Sequence, residues 1–315
     1  VILHTDLDHL SGSMREELRR VAALLFEGFD DLCAHKRAQR YKMARIDKLI
    51  LYGAHACRDQ GASPVLTPAP IRLLVIVNHN RIAARRDDWA PIRDRLRRAW
   101  EVGEITHPVR LCIHTLSHVN HALVHGAPWF VTIATDGIAL YQASSARLEA
   151  PRRLPAARRR ERGHGEFARW YERAGDFLMG AAFFEKRGNA PMAALLLHQA
   201  NEHLYQCVAW SLTLNGLRTH ALDELREVAE YLDSRLALAW PQETPFERRV
   251  FGCIRRAYVE VRYGRTYRIA PEEVALAMDC TAALYKLVQV VCLERLDGLD
   301  GLDEIAREAD HVQFA

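Results

Sequence analysis

A chain of 315 residues, 49% of them apolar, favours two domains over one and leaves room for real hydrophobic cores. Its net charge of +3 is too small to define a partner, so charge informs only locally: six of the eleven residues Arg152–Arg162 are arginine, and the stretch after Leu296 is acidic. Seven cysteines, an odd count without a C-x-x-C pair and mostly set in apolar runs such as Leu111-Cys112-Ile113, argue against a disulfide framework and predict reduced, buried thiols.

The first residues are charged and carry no signal-peptide core, which predicts a cytoplasmic protein. Ser11 or Ser13 caps a helix running to about Cys33, with Leu18, Val21, Leu25, Phe29 and Leu32 on the helical period. Ile46–Tyr52 reads as a strand ending in a tight turn at Gly53, and Ile71–Val77 as a strand covered on both faces. A basic amphipathic helix is predicted over Ala84–Trp100, a strand over Val109–His114, and a helix capped by Thr115 that ends near Gly126. Trp129–Ala134 and Ile138–Tyr141, split by Asp136-Gly137, fit either a helix, turn and strand or a small hairpin. Pro151–Gly165 reads as a Pro/Arg/Gly-rich linker, a solvated hinge or an RNA-binding basic segment. Strand signals then stop. Helices are predicted over Glu166–Arg187, Pro191–Leu214, His220–Leu236, Phe246–Tyr263 and Pro271–Leu296, an up-and-down bundle. The longest apolar stretch, Met192–Leu214, is interrupted by His198, Gln199, Glu202, His203 and Gln206, so no membrane span is expected.

The turn Gly53-Ala54-His55-Ala56-Cys57-Arg58-Asp59, entered from Ile50-Leu51-Tyr52, resembles the signature of polymerase-beta-type nucleotidyltransferases, which read G-S-x-A-R-G-D and then D-x-D on the next strand. Three segments further on, Leu197-His198-Gln199-Ala200-Asn201-Glu202-His203-Leu204-Tyr205, Thr219-His220-Ala221-Leu222 and Arg255–Tyr263, resemble the HEPN family of helical nucleotide-binding and RNase domains. Together the two resemblances cover most of the chain. They imply an α+β fold: a mixed nucleotidyltransferase-like sheet with helices over 1–150, the linker 151–165, an all-α HEPN-like bundle over 166–297 and an acidic tail 298–315.

Nucleotidyl transfer needs hard carboxylate oxygens around Mg²⁺, and two aspartates at i and i+2 of a strand reach one face together. Here Ala54 stands at the serine position, Pro70 and Arg72 where the aspartate pair would lie, and Arg110 at the third carboxylate. A proline cannot ligate and an arginine repels a cation, so the metal site reads as absent and the transferase centre as dismantled. Gly53, Ala54, Asp59, Arg72 and Arg110 remain candidates for nucleotide contact, because arginines meet phosphates directly; ion pairing of Arg72 and Arg110 with nearby acids is the plainer alternative.

HEPN RNases carry an arginine followed four to six residues later by a histidine. Arg262 fits the first, but Thr266 or Tyr267 stands where the histidine belongs, and tyrosine, with an ordinary pKa near 10, is a poor base at neutral pH. Arg248, Arg255 and Arg262 recur every seven residues and share one face, either a track for a phosphate backbone or a solvated helix side. His198, Gln199 and Glu202 share a polar side that in the family faces the cleft or dimer axis; mutual satisfaction inside the bundle is the alternative. His118, His121 and His125 lie at helical spacing on one face, a weak pattern for a metal.

These readings converge on a binding protein of nucleotide or RNA, in a regulatory or toxin–antitoxin-like role, homodimeric through its helical domain. An active nucleotidyltransferase modifying protein, nucleotide or drug, and a HEPN-type RNase, are the alternatives.

Overall fold

The computed structural model describes residues 3–56, 69–143, 146–217, 219–264 and 266–299. The chain divides into two compact units between Arg153 and Leu154.

In the first unit, helix α1 (Gly12–Ala34) starts where Ser11 accepts a hydrogen bond from the Met14 amide at 3.1 Å, replacing a partner that the first turn lacks. A single turn, α2 (Gln39–Lys42), leads into β1 (Ile46–Tyr52), and β2 (Ile71–Val77) lies antiparallel to it. Every residue of both strands is buried, Asp47, Lys48 and Arg72 included; for β2 the near-continuous apolar run predicts it. The two faces take alternate residues. Leu49, Leu51, Leu73, Val75 and Val77 join the core with α1, whereas Ile50, Tyr52, Leu74 and Ile76 pack with apolar residues of the chain between Val119 and Ala139.

From β2 the chain crosses through α3 (Asn80–Ala84) and α4 (Arg86–Glu101) to β3 (Val109–Thr115), which runs parallel to β2. The helix predicted over Ala84–Trp100 is α4, which starts at Arg86 because the Arg85 backbone is extended (φ −87, ψ 95); the short α3 before it was not expected. Thr115 caps α5 (Leu116–Val124) through the His118 amide. Next come α6 (Pro128–Asp136) and β4 (Ile138–Gln142), antiparallel to β1. The helix-turn-strand alternative is thus the one adopted. Gly137 is needed at that turn, since a Cβ there would sit 2.3 Å from the Ile133 carbonyl oxygen. The sheet order is β3-β2-β1-β4.

The second unit is helical: α7 (Ala156–Lys186), α8 (Ala190–Thr213), α9 (Leu222–Leu232), a 3-10 turn over Ser234–Ala239, α10 (Pro245–Tyr263) and α11 (Pro271–Asp297). The linker expectation needs correction, because Ala156 to Gly165 are the first turns of α7. Arginine and glycine content suggested a solvated hinge, but Gly163 is a contact glycine. A Cβ on it would meet the Ser211 carbonyl oxygen at 2.8 Å. Likewise α9 is shorter than predicted; Asp233 ends it and caps the 3-10 turn through the Arg235 amide at 3.1 Å. Thr244 and Glu247 close a reciprocal capping box at the start of α10.

Leu197, Leu204, Val208, Leu225, Trp240, Ile254, Leu284, Val288 and Val291 are among the residues that fill the bundle core. Among the described residues, α11 rather than the Met192–Leu214 stretch has the length and apolar composition to cross a membrane, yet it packs against α7, α8 and α10.

Candidate functional site

The end of the sheet beside Gly53 is the first candidate region. Gly53 has φ 80, a left-handed conformation that favours glycine, and it turns the chain from β1 into a short 3-10 turn over Ala54–Ala56. Register places Tyr52 opposite Arg72, and Arg72 opposite Arg110, so the three form one row across β1, β2 and β3. Arg72 is buried and Arg110 exposed. Asp59 lies outside the described residues. Asp47 is buried and is bound by Arg45 Nε at 2.8 Å; it sits five residues from Tyr52, or about 17 Å along a strand rising ~3.4 Å per residue. Two cationic side chains at neighbouring register positions do not fit a magnesium ion, which takes carboxylate oxygens.

The turn itself is pinned. His55 Nε2 lies 2.8 Å from the Ala69 carbonyl oxygen, and His9 Nε2 lies 3.0 Å from the His55 carbonyl oxygen. Burial pushes the His55 pKa down, against the opposing effect of the Ala69 bond, so the ring favours its neutral form.

The predicted histidine face does not form a metal site. His118 stacks on His114 with ring centres 4.5 Å apart, while His121 stacks on His125 at 3.9 Å. The last is the residue after α5, and its Nδ1 donates to the His121 carbonyl at 2.8 Å. Helical spacing alone gave the three rings a common face, but the rings pair with different neighbours. Among the described residues no group of three or more His, Cys, Asp or Glu is placed to hold a metal ion.

The helical unit brings more of the predicted residues together. His198 and Glu202, one turn apart on α8, face α10. His198 Nδ1 donates to the Ile254 carbonyl at 3.0 Å, which leaves Nε2 toward Glu202 Oε2 at 3.6 Å. The other carboxylate oxygen, Oε1, accepts from His220 Nδ1 at 2.9 Å. Burial by itself would raise the Glu202 pKa, but the nearby His198 imidazole and the hydrogen-bonded His220 outweigh it and hold the carboxyl below its usual range. Tyr258 of α10 lies beside both imidazoles, its ring centre 5.2 Å from that of His198 and 4.9 Å from that of His220 in near-parallel stacks. The Arg262 guanidinium lies 4.9 Å from the Tyr258 ring centre and 5.0 Å from that of Tyr263, which is 72% exposed.

The other predicted residues are engaged elsewhere. Arg255 pairs with Asp223 at 3.0 Å, and Arg248 donates to the carbonyls of Gln242 and Glu243. The seven-residue arginine stripe is therefore held along much of its length by its own domain, and Arg262 differs in facing aromatic rings. Gln199 keeps its amide Nε2 buried without a hydrogen-bond partner. Tyr267, expected in place of the missing histidine, donates its hydroxyl to the Cys253 carbonyl at 3.1 Å; burial raises its pKa far above the ordinary value. It is the wrong group for a base at neutral pH.

His220 is the residue that sequence reasoning left without a role. It is eighteen positions from Glu202 across a helix end, where no periodicity links the two. The signal available was its place directly before α9, within a segment already similar to the HEPN family.

Comparison with known proteins agrees with the helical half of this picture. Residues 167–291 match the HEPN domain. No curated protein matches the chain.

Proposed function

Residues 167–291 being a HEPN domain, we propose that this protein binds RNA, and nucleotide phosphates more generally, in a regulatory role. The observation that carries the proposal is the tier of His220, Tyr258, Arg262 and Tyr263, in which three rings and a guanidinium stack at the domain surface. Aromatic faces accept unpaired bases whatever their sequence, at about 1–3 kcal/mol per base, and an adjacent arginine meets the phosphate.

The N-terminal unit, on this proposal, is a nucleotidyltransferase-like domain without its metal centre. Support comes from the strand, left-handed glycine and following strand, and from the Arg72–Arg110 row where the resembled enzymes carry carboxylates. The role is a toxin–antitoxin-like or regulatory one in the cytoplasm. The exposed Val259 on α10 supplies apolar surface for association with a second copy.

The test is fluorescence anisotropy with a labelled single-stranded RNA of mixed sequence, titrated at two salt concentrations. Binding that weakens with salt, and about tenfold further in Arg262→Ala or Tyr263→Ala, is expected. Absence of binding, or binding unchanged in both variants, removes the proposal. Incubation with ATP and Mg²⁺ or Mn²⁺ tests the second half: pyrophosphate release abolished by Asp59→Ala would show that the transferase centre works.

A further inference from the structure

We propose that the first unit binds a free apolar α-amino acid in the cavity between α1 and α4. The site belongs to the sheet-bearing unit and the RNA-binding tier to the helical one, so the two stand or fall separately.

The cavity has a volume of about 220 Å³. Pockets for drug-sized ligands run to about 300–1,000 Å³, so this one suits a molecule of amino-acid size. Its apolar lining comes from Gly28 and Leu32 of α1 and from Pro91 and Ile92 of α4. The two helices approach closely at Gly28, where a Cβ would lie 3.1 Å from Ile92 Cγ1 and 3.6 Å from Arg95 Nη1. An apolar side chain entering the cavity leaves water on contact with these groups.

Charged side chains line the same cavity as two opposite pairs. Arg95 Nη2 donates to Asp31 Oδ2 at 2.6 Å, and Lys36 Nζ lies 3.5 Å from Asp88 Oδ1. Asp88 is buried; the Tyr41 hydroxyl donates to its other oxygen at 2.5 Å, and Arg85 Nε lies 3.9 Å from that oxygen. A carboxylate buried and held in this way keeps the Lys36 ammonium at the cavity. His35 completes the lining, with its Nδ1 donating to the Asp31 carbonyl at 2.7 Å. Arg95 and Lys36 each carry N–H donors beyond those already paired, which can take a ligand carboxylate. Asp31 spends Oδ2 on Arg95, and its Oδ1 can accept from a ligand ammonium.

An α-amino acid carries ammonium and carboxylate on one carbon, side by side as Asp31 and Arg95 are. Its remaining substituent is the apolar group that the floor of the cavity accepts. Other ligand classes match less of the lining. A nucleotide phosphate would face Asp31 and Asp88, and among the described residues no Phe, Tyr or Trp lines the cavity to stack a base. A divalent cation would face Lys36 and Arg95. The interior of a peptide offers an apolar side chain without either charge.

The experiment is isothermal titration calorimetry of the full chain with L-leucine, L-methionine and L-phenylalanine. Saturable binding of at least one is expected. For leucine, isovalerate lacks the ammonium, 3-methylbutylamine the carboxylate and glycine the side chain; each should bind at least about tenfold more weakly than the amino acid, the consequence of losing a charged hydrogen bond or the apolar contact. Arg95→Gln should weaken binding by about tenfold for the same reason, and Gly28→Ala should weaken it by narrowing the cavity. The analogues are read on the wild-type chain, so the comparison holds even where a variant fails to fold. No saturable binding of any of the three amino acids overturns the proposal, as does isovalerate or 3-methylbutylamine binding as well as leucine. Leucine binding unchanged in both variants places the ligand elsewhere and overturns the site.

Discussion

The indole Nε1 of Trp240 donates to the side-chain oxygen of Asn201 at 2.7 Å, and both residues are sealed in the bundle core. The Asn201 amide nitrogen donates in turn to the Leu197 carbonyl and to Thr281 Oγ1, each at 2.8 Å, and the Thr281 hydroxyl donates to the Ala277 carbonyl. Helices α8 and α11 and the segment before α10 are thereby tied by a polar knot whose members all have partners.

Breaking that knot from one side strands a buried donor. Asn201→Ala leaves the Trp240 N–H without its acceptor, at a cost of about 1–3 kcal/mol, to which the lost packing adds. Urea denaturation followed by tryptophan fluorescence should show a lower midpoint. An unchanged midpoint would mean that water replaces the lost bonds without penalty.

Two groups on α8 make stability fall in acid. Burial, against opposing contributions from the Gln199 carbonyl and Glu202, lowers the His203 pKa; the Glu202 pKa is lowered by its imidazole partners in spite of burial. Each folded value lies below the unfolded one, so each contribution is complete above the unfolded pKa, about 6.5 for histidine and about 4.3 for glutamate, and is lost as pH falls through the folded value. The Tm of the protein should decline as pH drops below about 6.5 and again below about 4.3. His203→Gln should flatten the first decline, and a Tm that rises between pH 7 and pH 5 would contradict the assignment.

Gly163 and Gly165 lie two residues apart in α7 and should respond to alanine in opposite directions. A Cβ at Gly163 meets Leu296 Cδ2 at 2.3 Å and the Ser211 carbonyl oxygen at 2.8 Å, whereas nothing lies within 4 Å of one at Gly165. Gly163→Ala should destabilise by about 1–3 kcal/mol through overpacking, offset in part by better helix propensity; Gly165→Ala should stabilise by about 0.5–1 kcal/mol. Thermal melts of the two variants decide this. Equal and small effects would indicate the solvated hinge that composition suggests.

Elements were legible where one local signal dominated. The apolar runs Ile46–Tyr52 and Ile71–Val77 gave buried strands, and Ser11 and Thr115 marked helix starts. The start of α7 was hidden because arginine and glycine speak for a linker by composition, while the reason for Gly163 is a neighbour more than forty residues away. The same limit applied to the site. His198 and Glu202 were found as a helical pair, since one turn joins them. His220 joins them only through the fold, and the side-chain partners of Arg255 and Tyr267 are tertiary facts. The three histidines of α5 shared a face by periodicity, but which ring each one stacks on was not written in the spacing.

Helix α11 carries 27 residues apolar enough to span a bilayer, and it is held inside the bundle by neighbours on several sides. Once heat or denaturant frees it, the exposed helix is adhesive to detergent, vesicles and other unfolded copies, so the recovery of folded protein on cooling depends on how fast α11 is sequestered again.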